Sequence, residues 1–207
     1  MDFWNAWLAA ASETPSGFSL IRSTFQTHRS ALERSAVRRG RVAPTPGTGQ
    51  DSADLAGMGS TLVCALLFPT RFIAANVGDS RLYHFDGEKL EQVTVDHSLV
   101  EVLVQSGHIT PEEARVHPNR NIITRAMGLS ARVEADVFDR AWNPGDILLL
   151  CSDGLSGSVP HEEMQSVLVS DAPLQELCDT LVASALEHGA TDNITVVLVQ
   201  NEEGACA

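Results

Sequence analysis

The run Arg71-Phe72-Ile73-Ala74-Ala75-Asn76-Val77-Gly78-Asp79-Ser80-Arg81-Leu82-Tyr83-His84-Phe85-Asp86-Gly87 decides the fold class. Residues 71–77 and 81–85 are apolar, with the aromatic and β-branched side chains that suit a pleated strand. The first is broken at Gly78-Asp79, and the second ends at Asp86-Gly87, a pair made for a tight hairpin. Upstream, residues 60–68 form another apolar run set off by Pro69-Thr70, and downstream residues 89–93 complete the hairpin. Four strands in succession make a meander.

Helix signals flank this meander. Leu99, Val102 and Leu103 sit at helical spacing within residues 98–106, and Thr110-Pro111-Glu112-Glu113 combines a Thr cap, Pro at the first position and Glu at the third. Residues 133–138 and 146–151 read as strands, 162–169 and 174–188 as helices, and 193–200 as a final strand rich in Val. Before the meander, Phe18, Ile21, Phe25, Leu32 and Ala36 form an amphipathic stripe with an Arg-rich polar face, and Trp7-Leu8-Ala9-Ala10-Ala11 reads as a helix start. Residues 40–57 collect Pro44, Pro46, Gly47 and Gly49 and read as an exposed connection. The expected organisation is a helical segment over 1–40, a linker over 41–57, the main domain over 58–200 and a tail over 201–207. Strands in runs and helices in runs indicate an α+β packing.

Composition narrows the function. At 207 residues, 43% hydrophobic and 20% charged, the chain is neither a disulfide miniprotein, a collagen nor a disordered polymer. Its apolar runs fall far short of the roughly 20 residues that span a bilayer. Asp2 stands where a secretory signal would be basic, so the chain is read as cytoplasmic. The isolated cysteines Cys64, Cys151, Cys178 and Cys206 suggest neither a zinc site nor a disulfide framework. A formal net charge of -13 repels a phosphate backbone and argues against nucleic acid as a partner. Residues 1–41 carry six Arg against Asp2, Glu13 and Glu33, so the acidic excess lies in the remainder.

Three acids stand at strand ends: Asp79 after 71–78, Asp153 after 147–152, and Asp192 ahead of 193–199. Carboxylates held there are rigid and still reach solvent. If they converge, they offer the all-oxygen donor set of a hard cation, Mg²⁺ or Mn²⁺. Gly78 and Gly154 beside them permit sharp turns. Gly-Asp and Asp-Gly are also ordinary turn chemistry, the commoner role for any one pair taken alone.

The strings around these acids are more informative than the acids. Gly57-Met58-Gly59-Ser60-Thr61-Leu62, Asn76-Val77-Gly78-Asp79-Ser80-Arg81, Asp96-His97-Ser98, Ile109-Thr110-Pro111-Glu112-Glu113-Ala114, His117-Pro118-Asn119-Arg120-Asn121, Cys151-Ser152-Asp153-Gly154-Leu155 and Thr191-Asp192-Asn193-Ile194-Thr195 follow one another in order. Over residues 57–200 this set resembles the metal-dependent protein phosphatases of type 2C, the PPM family. The resemblance implies a four-layer α-β-β-α sandwich of two antiparallel sheets. It implies hydrolysis of phosphoserine and phosphothreonine by a water activated between two divalent ions. By the same match, Asp153 and Asp192 fall on ligands of the binuclear core, Asp79 on a ligand of a third ion shared with Asp153, and residues 97–127 on a flap beside the site. His97 could give a proton to the leaving alkoxide, although a capping pair with Asp96 is the commoner arrangement; His117 reads as a loop histidine with a structural hydrogen bond.

One part of the pattern is missing. Members of the family carry an earlier D-G-x-G-G string whose aspartate bridges the core ions, but Asp2, Asp51 and Asp54, the aspartates before Met58, are not followed by glycine. The expectation is therefore a domain with its first strands missing and a binuclear site left incomplete. Three readings stay open: a phosphatase of reduced activity acting on phosphorylated proteins, a pseudophosphatase that binds phosphoproteins or a Ser/Thr kinase without turnover, and a truncated gene product.

Overall fold

The computed structural model describes residues 7–11, 22–27, 59–130 and 132–202. The elements in chain order are β1 (Trp7–Ala11), β2 (Arg22–Thr27), β3 (Leu62–Leu67), β4 (Arg71–Val77), β5 (Arg81–Phe85), β6 (Leu90–Gln92), α1 (Leu99–Gln105), α2 (Pro111–Arg115), β7 (Asp136–Ala141), β8 (Ile147–Cys151), α3 (Asp153–Ser156), α4 (His161–Val169), α5 (Leu174–Glu187) and β9 (Thr195–Gln200). They form a four-stranded sheet, β1-β3-β4-β7, and a five-stranded sheet, β2-β9-β8-β5-β6. Every pairing is antiparallel except β1 with β3.

Period-two alternation turns the strands into layers. Val63, Ala65, Leu67, Phe72 and Ala74 of the four-stranded sheet meet Leu82, Leu148, Leu150, Val197 and Val199 of the five-stranded sheet in one core. The alternate residues of the second sheet, among them Tyr83, Phe85, Leu149, Cys151, Val196 and Leu198, pack beneath Met164, Leu168, Leu177, Leu181 and Ala185 of the helices. Strand β8 is buried at all five positions because it serves both cores. Trp142 closes the rim: it meets Phe72 edge-on with ring centroids 6.0 Å apart, and its Nε1–H donates to the Phe68 carbonyl at 2.7 Å.

The local signals hold at the hairpin and at α2. Asp86 Oδ1 accepts from the backbone N–H of Glu88 and Lys89 at 3.0 and 2.7 Å, and Gly87 takes φ +95°. Thr110 and Glu113 close a reciprocal capping box.

The start of the chain differs from the helical reading of residues 1–40. Trp7–Ala11 is a strand paired in parallel with β3, Trp7 opposite Leu62 and Ala11 opposite Leu66. Arg22–Thr27, inside the expected amphipathic helix, is a strand antiparallel to β9. Each sheet gains an edge strand from this region. An open sheet edge leaves a row of backbone donors and acceptors unpaired, and pairing them outweighs helical periodicity in a segment of Ser23, Thr24 and Thr27, all weak helix formers. The rest of the expected helix and the 41–57 linker lie outside the described residues. The described helices that cover a sheet, α3–α5, all lie on the five-stranded one, so helices over the four-stranded sheet are not among the described elements. No helix among the described residues is long and apolar enough to cross a membrane.

Candidate metal centre

Strand register brings the three aspartates to one end of the molecule. Arg81 of β5 pairs with Cys151 of β8, which pairs with Val196 of β9. Asp79 lies two residues before β5, Asp153 two after the end of β8, and Asp192 three before β9, so all three leave the same end of the five-stranded sheet.

Ser152 and Gly154 tie the Asp153 and Asp192 segments together. Ser152 Oγ donates to the Asn193 carbonyl at 2.9 Å and accepts from the Thr195 N–H at 3.0 Å, while the Ser152 N–H donates to the Thr195 carbonyl at 3.1 Å. Gly154 lies directly against the Asn193 carbonyl, in space that a Cβ would need. Asp192 is exposed, and its Oδ1 accepts from the Asn193 N–H at 2.7 Å.

The Asp79 turn is held differently. Gly78 takes φ +109°, and a side chain there would collide with Thr61 as well as strain the backbone. The Gly78 carbonyl accepts from the His97 N–H at 2.9 Å and from Asn76 Nδ2 at 3.2 Å, and the Gly78 N–H donates to His97 Nδ1 at 3.0 Å. Asn76 Nδ2 also reaches the Val95 carbonyl at 3.1 Å, while its buried Oδ1 has no partner. Arg81 clasps Asp96 through Nε and Nη2, at 2.9 and 2.7 Å, and Tyr83 OH through Nη1 at 3.0 Å.

These contacts set the electrostatics. Burial, then the charges of Asp153 and Asp96, pushes the Asp79 carboxyl up to about 7. Burial, then Asp192, raises Asp153 above the usual carboxylate range. Asp96 is answered by Arg81, whereas neither Asp79 nor Asp153 has an ion-pair partner among the described residues. Acids that burial and mutual repulsion disfavour as anions fit a divalent cation in both charge and donor type. Their charges act on one another in pairs, Asp192 on Asp153 and Asp153 on Asp79. No set of three or more Asp, Glu, His or Cys among the described residues is arranged to hold an ion.

Residues 97–127 run through α1 and α2. The ends of this segment are pinned by the bridges Ser60–Met127 and Ser98–Ile123. Both ring nitrogens of His97 are engaged, Nδ1 by Gly78 and Nε2 by Asp136 Oδ2 at 3.1 Å. Arg125 Nη1 donates to the other oxygen of Asp136 at 2.6 Å. His117 Nδ1 accepts from the Asn119 N–H at 3.1 Å, a local loop contact. A cleft of about 580 Å³ between α1 and β7 is lined by His97, Arg125 and Asp136 and not by Asp79, Asp153 or Asp192. Sequence reading did not single out Asp136, Arg125 or the orphaned Asn76 oxygen. Asn76 and Arg81 stood inside an informative string, but nothing local to Asp136 or Arg125 signals a contact with His97.

Residues 31–202 match the family described as Stage II sporulation protein E (SpoIIE). The chain is 44% identical over 153 residues to the serine/threonine phosphatase stp of Listeria monocytogenes, covering 74% of this chain and 61% of that protein. The chain belongs to the PPM, or type 2C, phosphatase family. Among solved PPM structures, the crystal structure of the serine/threonine phosphatase Stp1 from Staphylococcus aureus is similar, with TM-score 0.71, 44% identity, and 75% of this chain and 61% of that one covered. The catalytic domain of the serine/threonine protein phosphatase PstP in complex with two manganese ions matches with TM-score 0.71 and 28% identity over 87% of this chain and 97% of that one. The two back-to-back sheets with helices are thus the PPM architecture. The chain spans about 61% of the length of the Listeria relative.

Proposed function

We propose that this chain acts in metal-dependent hydrolysis of phosphoserine and phosphothreonine in proteins, with Asp153 and Asp192 as ligands of a core Mg²⁺ or Mn²⁺ and Asp79 as a ligand of a further ion shared with Asp153. The observation that supports the reading is that three aspartates leave the same end of the five-stranded sheet, two of them half-buried without a cationic partner among the described residues. A divalent ion bound there supplies charge neutralisation for the phosphoryl oxygens and a more acidic water. The chain's own residues would hold and aim the ligands: Ser152 and Gly154 bring the Asp153 turn against the Asn193 segment that follows Asp192, and Gly78, pinned by His97, sets the Asp79 turn. Such substrates are products of Ser/Thr kinases. A cytoplasmic location fits the free thiols of Cys64 and Cys151.

One observation favours a second reading, a phosphoprotein-binding module without turnover: no set of three or more Asp, Glu, His or Cys among the described residues is arranged to hold an ion. Hydrolysis of a phosphothreonine peptide with and without Mn²⁺, by the wild-type chain and by Asp153→Asn, separates the two. Metal-dependent turnover lost in the variant supports the phosphatase. Equal rates in both chains defeat it, and peptide binding without turnover establishes the binding module.

A further inference from the structure

We infer that His97 is the positioning residue of the Asp79 turn, acting through Nδ1 on the Gly78 N–H. As far as it concerns a metal ligand, this rests on the role proposed above for Asp79.

The ring is 7% exposed and lies between two parts of the chain that are far apart in sequence. On one side it grips Gly78 twice, Nδ1 accepting from the Gly78 N–H at 3.0 Å and the His97 N–H donating to the Gly78 carbonyl at 2.9 Å. On the other, Nε2 faces Asp136 Oδ2 at 3.1 Å and Arg125 Nη1 at 3.0 Å. A backbone N–H can only donate, so Nδ1 must accept and Nε2 must carry the ring proton. Nε2 therefore donates to Asp136, and the Arg125 approach is a meeting of two donors over one carboxylate, since an imidazole bearing its proton cannot accept at both nitrogens. Arg125 satisfies itself on Asp136 Oδ1 at 2.6 Å and on the Glu134 carbonyl at 3.2 Å.

The geometry gives His97 two separable links. The Nδ1 link holds the residue immediately before Asp79, a glycine at φ +109°. The Nε2 link reaches Asp136 and, through it, Arg125. With its proton directed at Asp136, the ring is turned away from service as a proton donor to a leaving group. Its contribution is to keep the Gly78-Asp79 peptide in one orientation.

Two substitutions separate the links. Asn places an amide oxygen near the Nδ1 position and keeps an acceptor for Gly78, and Gln places an amide nitrogen near Nε2 and keeps only the donor to Asp136. His97→Asn is expected to leave amide exchange at Gly78 and the calorimetric Mn²⁺ affinity within about twofold of wild type, while His97→Gln raises both the Gly78 exchange rate and the Mn²⁺ Kd by about tenfold, the scale of one buried hydrogen bond. A side chain that only fills space would show no such preference. Indistinguishable variants, or Gln the better replacement, overturn the inference. Should either variant fail to fold, ¹⁵N spectra of the wild-type ring decide: a proton on Nε2 with Nδ1 hydrogen-bonded to the Gly78 N–H supports it, and a proton on Nδ1 overturns it. A wild-type chain that binds no Mn²⁺ defeats the metal reading alone, and the exchange and ¹⁵N arms then decide the role of His97.

Discussion

Gly154 and the carbonyl of Asn193 occupy touching positions, so close that a Cβ on residue 154 would overlap the Asn193 oxygen and carbonyl carbon. This contact lets the turn after β8 nestle against the segment leading into β9, and it places Asp153 beside Asp192. The obstacle is backbone, which cannot swing aside as a flexible side chain would.

Gly154→Ala should therefore force the two segments apart. The expected cost is ~2 kcal/mol, within the range for overpacking a tight site, which for a chain of this size corresponds to a fall in Tm of about 4–8 °C. Calorimetric Mn²⁺ titration of the folded variant should show weaker binding than wild type. An unchanged Tm would contradict the contact.

A pH dependence follows from Asp79 in the metal-free chain. Its carboxyl is raised from 3.8 to about 7 in the folded protein, with burial the larger cause and Asp153 the next. A folded state that holds a proton more tightly than the unfolded state enjoys that stabilisation fully below the ordinary carboxylate value and loses it as pH climbs to about 7. In chelator, wild type should lose stability across that window, and Asp79→Asn should flatten the loss. Urea midpoints at a series of pH values measure it; parallel profiles for the two chains would refute the assignment.

Asp136 predicts the opposite sign. The hydrogen bonds from His97 and then Arg125 hold its carboxyl below the usual range. Its contribution is present above the unfolded value of 3.8 and is lost as pH falls through the lower folded value. Asp136→Asn should shallow the acid limb of the stability profile by lowering the neutral plateau, and only modestly, because the pair is partly exposed. Acid titration followed by circular dichroism checks this.

Strand β8 offers a test of the layers. Leu150 faces the opposite sheet and Leu149 faces the helices, and both are fully buried. Leu149→Ala and Leu150→Ala should each cost ~2–5 kcal/mol in denaturant unfolding. A much smaller loss at either position would mean that its layer is not packed as described.

Much of the fold was legible because its signals are local. The apolar, β-branched runs over residues 60–93, the Asp86-Gly87 hairpin and the Thr110-Glu113 capping box each depend on neighbours within a few residues, and each forms as read. The start of the chain was misread for the same reason. The stripe from Phe18 to Ala36 carries a real helical period, yet Arg22–Thr27 pairs with β9 because an edge strand elsewhere leaves its hydrogen bonds open, and no local pattern can report that demand.

The candidate site divides the same way. Sequence alone determined the residue types and their settings: three aspartates at strand ends, two beside glycine, in an acidic chain of the PPM family. Only the tertiary structure decided that the Asp192 charge raises the Asp153 carboxyl, that Arg81 neutralises Asp96, and that His97 grips Gly78 while facing Asp136 and Arg125. Those outcomes depend on strand register and on contacts between residues tens of positions apart, where distance in space, and not order along the chain, sets the strength of a charge or the existence of a hydrogen bond.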